Sequence, residues 1–207
     1  MGLFYKASLK ERLDARVDIF VKNGIPALER NGFTRAPYYG MRSGEYDGSG
    51  RTYDLCRLMA NSHLEIITTY ISRKDRWIQV FLNIFELKPP PESMEQLRGL
   101  DCVQFYMFPN GYTRMRLRLD DFKGMPLFRT VEHKLKRYHT KRGFQRRVAQ
   151  LRELIGNDLN NIDSFVTRWH ELHKPLVTDW EGKEVDGKGQ GKRTSPLLKK
   201  PNDTGNR

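Results

Sequence analysis

Residues 77–87, Trp-Ile-Gln-Val-Phe-Leu-Asn-Ile-Phe-Glu-Leu, constrain the fold more than any other segment. As a strand, this run puts Ile78, Val80, Leu82 and Ile84 on one face and Trp77, Phe81 and Phe85 on the other. A strand that is apolar on both faces has to lie inside a sheet and be covered twice. Strand-like runs at 52–59 and 64–72 supply its neighbours, with Arg73-Lys74-Asp75-Arg76 as the short connection into it. Residues 33–41, with a Phe, two Tyr and a Pro, read as an edge strand, and 43–50, Ser-Gly-Glu-Tyr-Asp-Gly-Ser-Gly, as a flexible loop. Pro89-Pro90-Pro91 breaks the pattern before a short helix at 92–99. Runs at 102–108 and 112–119 flank Pro109-Asn110-Gly111 and predict a hairpin.

Helices are expected on either side of this sheet. Ser8 with Glu11 three residues on is a capping box, and Leu9, Leu13, Val17, Phe20 and Val21 follow at helical spacing. That predicts a helix over 8–23, ended by Gly24, then a short turn from Pro26 to Asn31-Gly32. Apolar spacing predicts three more helices at 130–142, 144–155 and 160–173, the second ending at Gly156. The expected class is α+β. An antiparallel sheet of about five or six strands is preceded by one helix and followed by three, in a single domain over 1–178. The Gly-, Lys- and Asp-rich residues 179–207 read as a flexible tail.

Composition narrows the class. With 38% hydrophobic residues in 207, the chain can build a core. Cys56 and Cys102 sit in apolar settings without metal or redox spacing and read as small buried hydrophobes. The start, Met-Gly-Leu-Phe-Tyr-Lys, lacks a signal-peptide run, and Lys6 stands where myristoylation wants Ser or Thr. No stretch approaches ~20 apolar residues. The expected location is the cytoplasm or nucleus.

The formal charge is +12, and it is unevenly spread: residues 114–152 hold 13 Lys+Arg against 3 Asp+Glu. On a strand, Arg114, Arg116 and Arg118 share one face while Met115, Leu117 and Leu119 face the core. Guanidinium groups ~6.6 Å apart along that strand suit a row of phosphates. Lys134, Arg137, Lys141, Arg142, Arg146 and Arg147 extend the patch onto the helices. Tyr138 reads as core by its spacing. The expected partner is nucleic acid, DNA or RNA, with an acidic protein as the rival. A membrane surface is not expected, because the large apolar residues of these helices are needed for a core.

Candidate chemistry is sparse. The order helix, three strands ending in Glu86-Leu87-Lys88, helix, strand over residues 8–108 is similar to the core of restriction-endonuclease-like nucleases. That resemblance implies Glu86 holding a divalent metal with an upstream carboxylate, Asp75 or else Glu65 or Asp54, and Lys88 stabilising the developing charge. His170 and His173 flank Glu171 without a further ligand pair. Helices 144–155 and 160–173 form a poor helix-turn-helix, since the second carries Asp163 and Glu171 among few cations. The glycines at 44, 48 and 50 lack a phosphate-loop lysine, and no nucleophile set stands out. The leading expectation is a non-enzymatic binder with no cofactor and no metal, and the nuclease is the alternative.

Overall fold

The structure is a computed structural model that describes residues 5–35, 37–60, 62–121 and 132–185. Helix α1 (Leu9–Ile19) starts where the capping box places it: Ser8 Oγ accepts from the Glu11 amide at 3.0 Å. The box is only half formed, because the Glu11 carboxylate accepts from the Tyr5 hydroxyl instead. Gly24 does not end the helix. The chain tightens through a π turn at Phe20–Gly24 and continues as α2 (Ile25–Arg30), which closes at Gly32 with φ +81°. A Cβ at Gly24 would sit 2.5 Å from the Phe20 ring and 3.2 Å from Leu159, so glycine is fixed there by close packing.

The sheet has the predicted centre. Strands β3 (Gly50–Leu58), β4 (His63–Ser72) and β5 (Gln79–Leu87) form an antiparallel meander in which Asp54 faces Thr68 and Thr68 faces Phe81. Both outer edges are shared by short strands. On β3 they are β1 (Thr34–Arg35) and β2 (Ser43–Tyr46); on β5 they are β6 (Met115–Arg116) and the parallel β7 (Leu176–Thr178). Residues 43–46, expected as loop, are therefore an edge strand. Gly44, at φ +101°, lies under the Tyr53 ring, where a Cβ would come within 2.3 Å.

Each face of β5 is covered, though unequally. Val80, Leu82 and Ile84 join Leu55, Ile67 and Ile71 against α1, α2, α3 (Lys141–Asn160) and α4 (Ile162–Leu172). On the opposite face Cys56, Leu64, Ile66, Phe85 and Leu87 pack on Leu97, Cys102 and Phe105, which belong to the connection from 88 to 113. That second cover stops short of the Trp77–Phe81 end, where both aromatic residues are half-buried. Cys56 and Cys102 are free, buried thiols, as their apolar setting predicts.

Three predicted elements are replaced. The strands at 102–108 and 112–119 are 3-10 turns at Val103–Tyr106 and Asn110–Thr113, and only Met115–Arg116 pairs with the sheet. Asn110 does not serve as a hairpin turn residue. It is buried, with its amide donating to Gln104 O (2.8 Å) and Gly182 O (2.6 Å). The Asn83 amide donates to Asn110 O at 2.9 Å, and Thr113 Oγ1 donates to Asn83 Oδ1 at 2.8 Å. A buried polar network thus holds the segment, and a hairpin in this place would leave the Asn83 side-chain amide without its acceptor.

The helix predicted over 130–142 begins partly outside the described residues. From 132 to 140 the chain is non-helical and runs beside residues 76–78, with Ile78 N to His133 O at 2.9 Å and Leu135 N to Arg76 O at 2.8 Å. Leu135 is buried by that pairing. Helix α3 starts at Lys141, three residues before the start expected at 144, and runs through Gly156 to Asn160, because Asp158 and Leu159 are buried in the last turn. Burying a leucine is worth ~1.5–3 kcal/mol, more than the ~1 kcal/mol a helical glycine costs. Only Asn161 separates α3 from α4, which removes the long connection of the helix-turn-helix reading. The predicted tail is ordered for longer than expected: Val185 N pairs with Val177 O at 3.1 Å. Residues 186–207 lie outside the described residues.

Candidate nucleic-acid interface

The uncovered end of the second sheet face carries the site. Here Phe81 stands opposite Arg116 in register. The Arg114 guanidinium lies 4.1 Å above the Phe81 ring, and the Arg116 guanidinium 4.6 Å from the Trp77 ring. Lys134 Nζ takes a second position on the same indole at 4.3 Å. A cation on an aromatic face uses the face of the guanidinium, and the N–H fork at its edge stays available to an anion.

The predicted row of three arginines is broken after Arg116. Arg118 adopts φ +62° in a turn and reaches back to the helix layer. There its Nε donates to Asp158 Oδ2 at 2.8 Å and its Nη2 to Oδ1. The same carboxylate bonds His133 Nε2 at 2.7 Å. Two residues of pairing are too few to keep residue 118 in the alternation of a strand. Its charge is met by Asp158, and Arg118 leaves the predicted row.

The remaining basic residues follow one another through direct contacts. Residues 132–140 carry Lys134 from the sheet edge past Arg76, whose guanidinium lies 5.4 Å from the Tyr138 ring. Tyr138 packs against the core beside Phe144, with ring centroids 4.9 Å apart, although the helix whose spacing suggested this is absent from the described residues 132–140. Arg76, Glu132, Lys134, Leu135, Lys136 and Arg137 line a hollow of about 240 Å³. Arg147 Nε donates to Arg137 O at 3.3 Å, which joins this segment to α3. Lys141, Arg142 and Arg146 are exposed on the first turns of α3. The first turn holds no acid, and Thr140 caps it by accepting from the Gly143 amide at 2.9 Å. Cations at the positive end of a helix dipole are each unfavourable by ~0.3–1 kcal/mol.

Charge compensation separates two kinds of arginine. Arg42, Arg57 and Arg118 have pKa values raised by carboxylates: Asp54, then Glu65 with Asp163, then Asp158. Desolvation opposes this in each and leads in Arg42 and Arg57, but the paired carboxylates outweigh it. Arg114 and Arg116 are lowered, chiefly by burial, and Arg114 also by its neighbour Arg42. Arg16 is lowered too, but it has Asp75 at 3.1 Å. Among the described residues no carboxylate lies within ion-pair distance of Arg114, Arg116, Lys134, Arg137, Lys141, Arg142, Arg146 or Arg147. Arg114 and Arg116 thus combine partial desolvation with the lack of an ion-pair partner, although Asp54 offsets part of the lowering in Arg114, and Asp120, Asp75 and Glu132 part of it in Arg116; such a combination is frequent at anion sites.

Glu86 and Lys88 lie together at the far end of β5, with Lys88 Nζ 3.6 Å from Glu86 Oε1. The three upstream carboxylates are each engaged by an arginine: Asp75 by Arg16, Glu65 by Arg57 and Asp54 by Arg42. No group of three or more His, Cys, Asp or Glu residues placed to hold a metal ion occurs among the described residues, and the His170 ring meets Trp169 edge-on and His63 at a tilt.

Sequence reasoning passed over Trp77 and Phe81 as supports for Arg116 and Arg114, since both were assigned to a covered face. It also passed over the aromatic pair Phe108 and Tyr112, taken as strand residues. The signal for the first two was the basic run that ends beside them. The chain matches no protein-family model, no curated protein and no solved structure.

Proposed function

We propose that this protein binds nucleic acid without catalysis, contacting backbone phosphates along a track from Arg114 and Arg116 through Lys134 and Arg137 to Lys141, Arg142, Arg146 and Arg147. The observation that carries this reading is the pair Arg114 and Arg116. Both are partly desolvated and lack a carboxylate partner, and each lies over an aromatic ring, Arg114 on Phe81 and Arg116 on Trp77. Phosphate oxygens satisfy guanidinium forks bidentately. The uncompensated start of α3 extends the same demand for negative charge. Such a role suits the cytoplasm or nucleus.

The test is binding of labelled single- and double-stranded DNA and RNA over a salt series, with magnesium or manganese and with chelator. A shifted, intact oligonucleotide whose affinity falls steeply with salt supports the reading. Metal-dependent cleavage abolished by E86A would replace it with the nuclease. Absence of any shift, together with a lysate complex that survives nuclease treatment, would replace it with an acidic protein partner.

A further inference from the structure

The 3-10 segment that displaced the predicted hairpin bears two of the three most exposed large hydrophobic residues among those described, the other being Tyr39. Phe108 is 73% and Tyr112 70% exposed, and their rings stand edge to face with centroids 4.8 Å apart. Aromatic side chains supply large apolar area and normally find cover. Here they cannot retreat, because the turns beneath them are stapled on several sides. Asn110 is fixed to Gln104 O and Gly182 O, Thr113 to Asn83, and Trp169 Nε1 donates to Thr113 O at 2.7 Å. Gly111 N to Met107 O at 2.9 Å and Tyr112 N to Pro109 O at 3.0 Å close the loop between the two rings. The pair is therefore presented on a rigid support.

Its place in the chain gives it a charge context. Tyr112 is two residues from Arg114, so their Cα atoms are at most about 7 Å apart. An exposed π surface thus sits on the chain segment that leads directly into Arg114 and Arg116. An acidic peptide would satisfy the cations and leave the ring faces without a specific partner. A duplex keeps its bases stacked inside and meets such a surface with its backbone alone. An unpaired strand offers both groups at once: phosphates for the arginines and base faces for the rings.

We infer that Phe108 and Tyr112 form a base-stacking platform and that the ligand of the basic track is single-stranded nucleic acid. This rests on the proposed function and narrows it to one substrate class. Single strands enter at the aromatic pair and continue over Arg114 and Arg116. The Phe81 and Trp77 rings beneath these arginines are occupied by the cations and hold them in place.

The test uses the full chain and fluorescence anisotropy of a short mixed-sequence single strand and of the duplex of the same sequence. The variants are F108A, Y112A, F108L and Y112F, with R114A/R116A as the charge control. F108A and Y112A are each expected to weaken single-strand binding at least about fivefold and to leave duplex binding within twofold. F108L keeps apolar bulk without a π face and is expected to behave as F108A, whereas Y112F keeps the ring and is expected to retain wild-type affinity. R114A/R116A weakens both forms. Equal losses on single strand and duplex, or retention of affinity in F108L, would overturn the platform. If R114A/R116A weakens binding while F108A and Y112A do not, the track stands and the platform is wrong. If the wild-type chain binds neither form, both fall. Unchanged circular dichroism melts assign any loss to the rings and not to folding.

Discussion

Replacing Arg116 with alanine and, separately, Arg118 with alanine puts the interface to a quantitative test, because the two residues stand two positions apart and have opposite electrostatic roles. Arg116 has no carboxylate within ion-pair distance, and Arg118 is paired to Asp158 through two nitrogens. Each phosphate neutralised on a single strand contributes ~0.7 to the slope of log affinity against log salt. If all eight uncompensated cations engage phosphates, the wild-type slope is about −5.6, a loss of about 10³-fold between ~50 and ~200 mM salt. R116A removes one contact, so its slope is shallower by about 0.7. R118A removes a charge already neutralised inside the protein, so its slope equals that of wild type, although the fold is weakened. Anisotropy titrations at four or more salt concentrations read both slopes directly. A wild-type affinity that does not change with salt would refute the phosphate track. Slope changes of the same size in R116A and R118A would refute the division between compensated and uncompensated arginines.

The Asp158 network should carry measurable stability. D158A leaves Arg118 and the buried His133 without their shared acceptor, and a loss of about 3 kcal/mol is expected, at the low end of the range for broken buried pairs because Arg118 is 35% exposed. By thermal denaturation that is a drop in Tm of about 6–12 °C; a drop under ~2 °C would show the network to be dispensable. Burial pushes the Asp158 carboxyl up, but hydrogen bonds from Arg118 and His133 outweigh it and hold the pKa below the usual value. Its stabilising contribution is therefore complete above ~3.9 and is lost as pH falls through the lower folded value, so D158N should lose less stability than wild type between ~pH 5 and ~pH 2. Burial pushes the Cys102 thiol up to about 11 and raises Cys56 further, so neither should react with a disulfide reagent near neutral pH in the folded protein, and both should react in denaturant. A native thiol that reacts at the denatured rate would contradict their burial.

Much of the fold was legible because its signals are local or periodic. The two-faced apolar pattern of 77–87 placed β5 inside the sheet, paired on both sides, although β4 is the central strand, and the flanking runs gave β3 and β4 to within two residues. Ser8 marked the start of α1, and the spacing of Ile162, Phe165 and Trp169 defined α4. The basic run over 114–152 identified where charge would collect. Elements failed where a distant partner decided the local conformation. Asn110-Gly111 is a hairpin signal on its own, but Asn83 and Gly182 recruit Asn110 into a buried network and the chain turns as 3-10 instead. Gly156 is a helix stop on its own, but the burial of Asp158 and Leu159 carries the helix past it.

The candidate site divides along the same line. Sequence alone determined the inventory of the interface, because charge counts and residue types do not depend on folding. Tertiary structure decided which of those charges are available. A carboxylate 40 residues away in sequence takes Arg118 out of use, and the rings of Trp77 and Phe81 hold Arg116 and Arg114 ready. Compensation of a buried charge falls off over a few ångströms, and proximity on that scale is set by how the helices and the connection from 88 to 113 close over the sheet. Nothing in the order of residues fixes that distance, which is why the row of three alternating arginines became two without a carboxylate partner and one paired to Asp158.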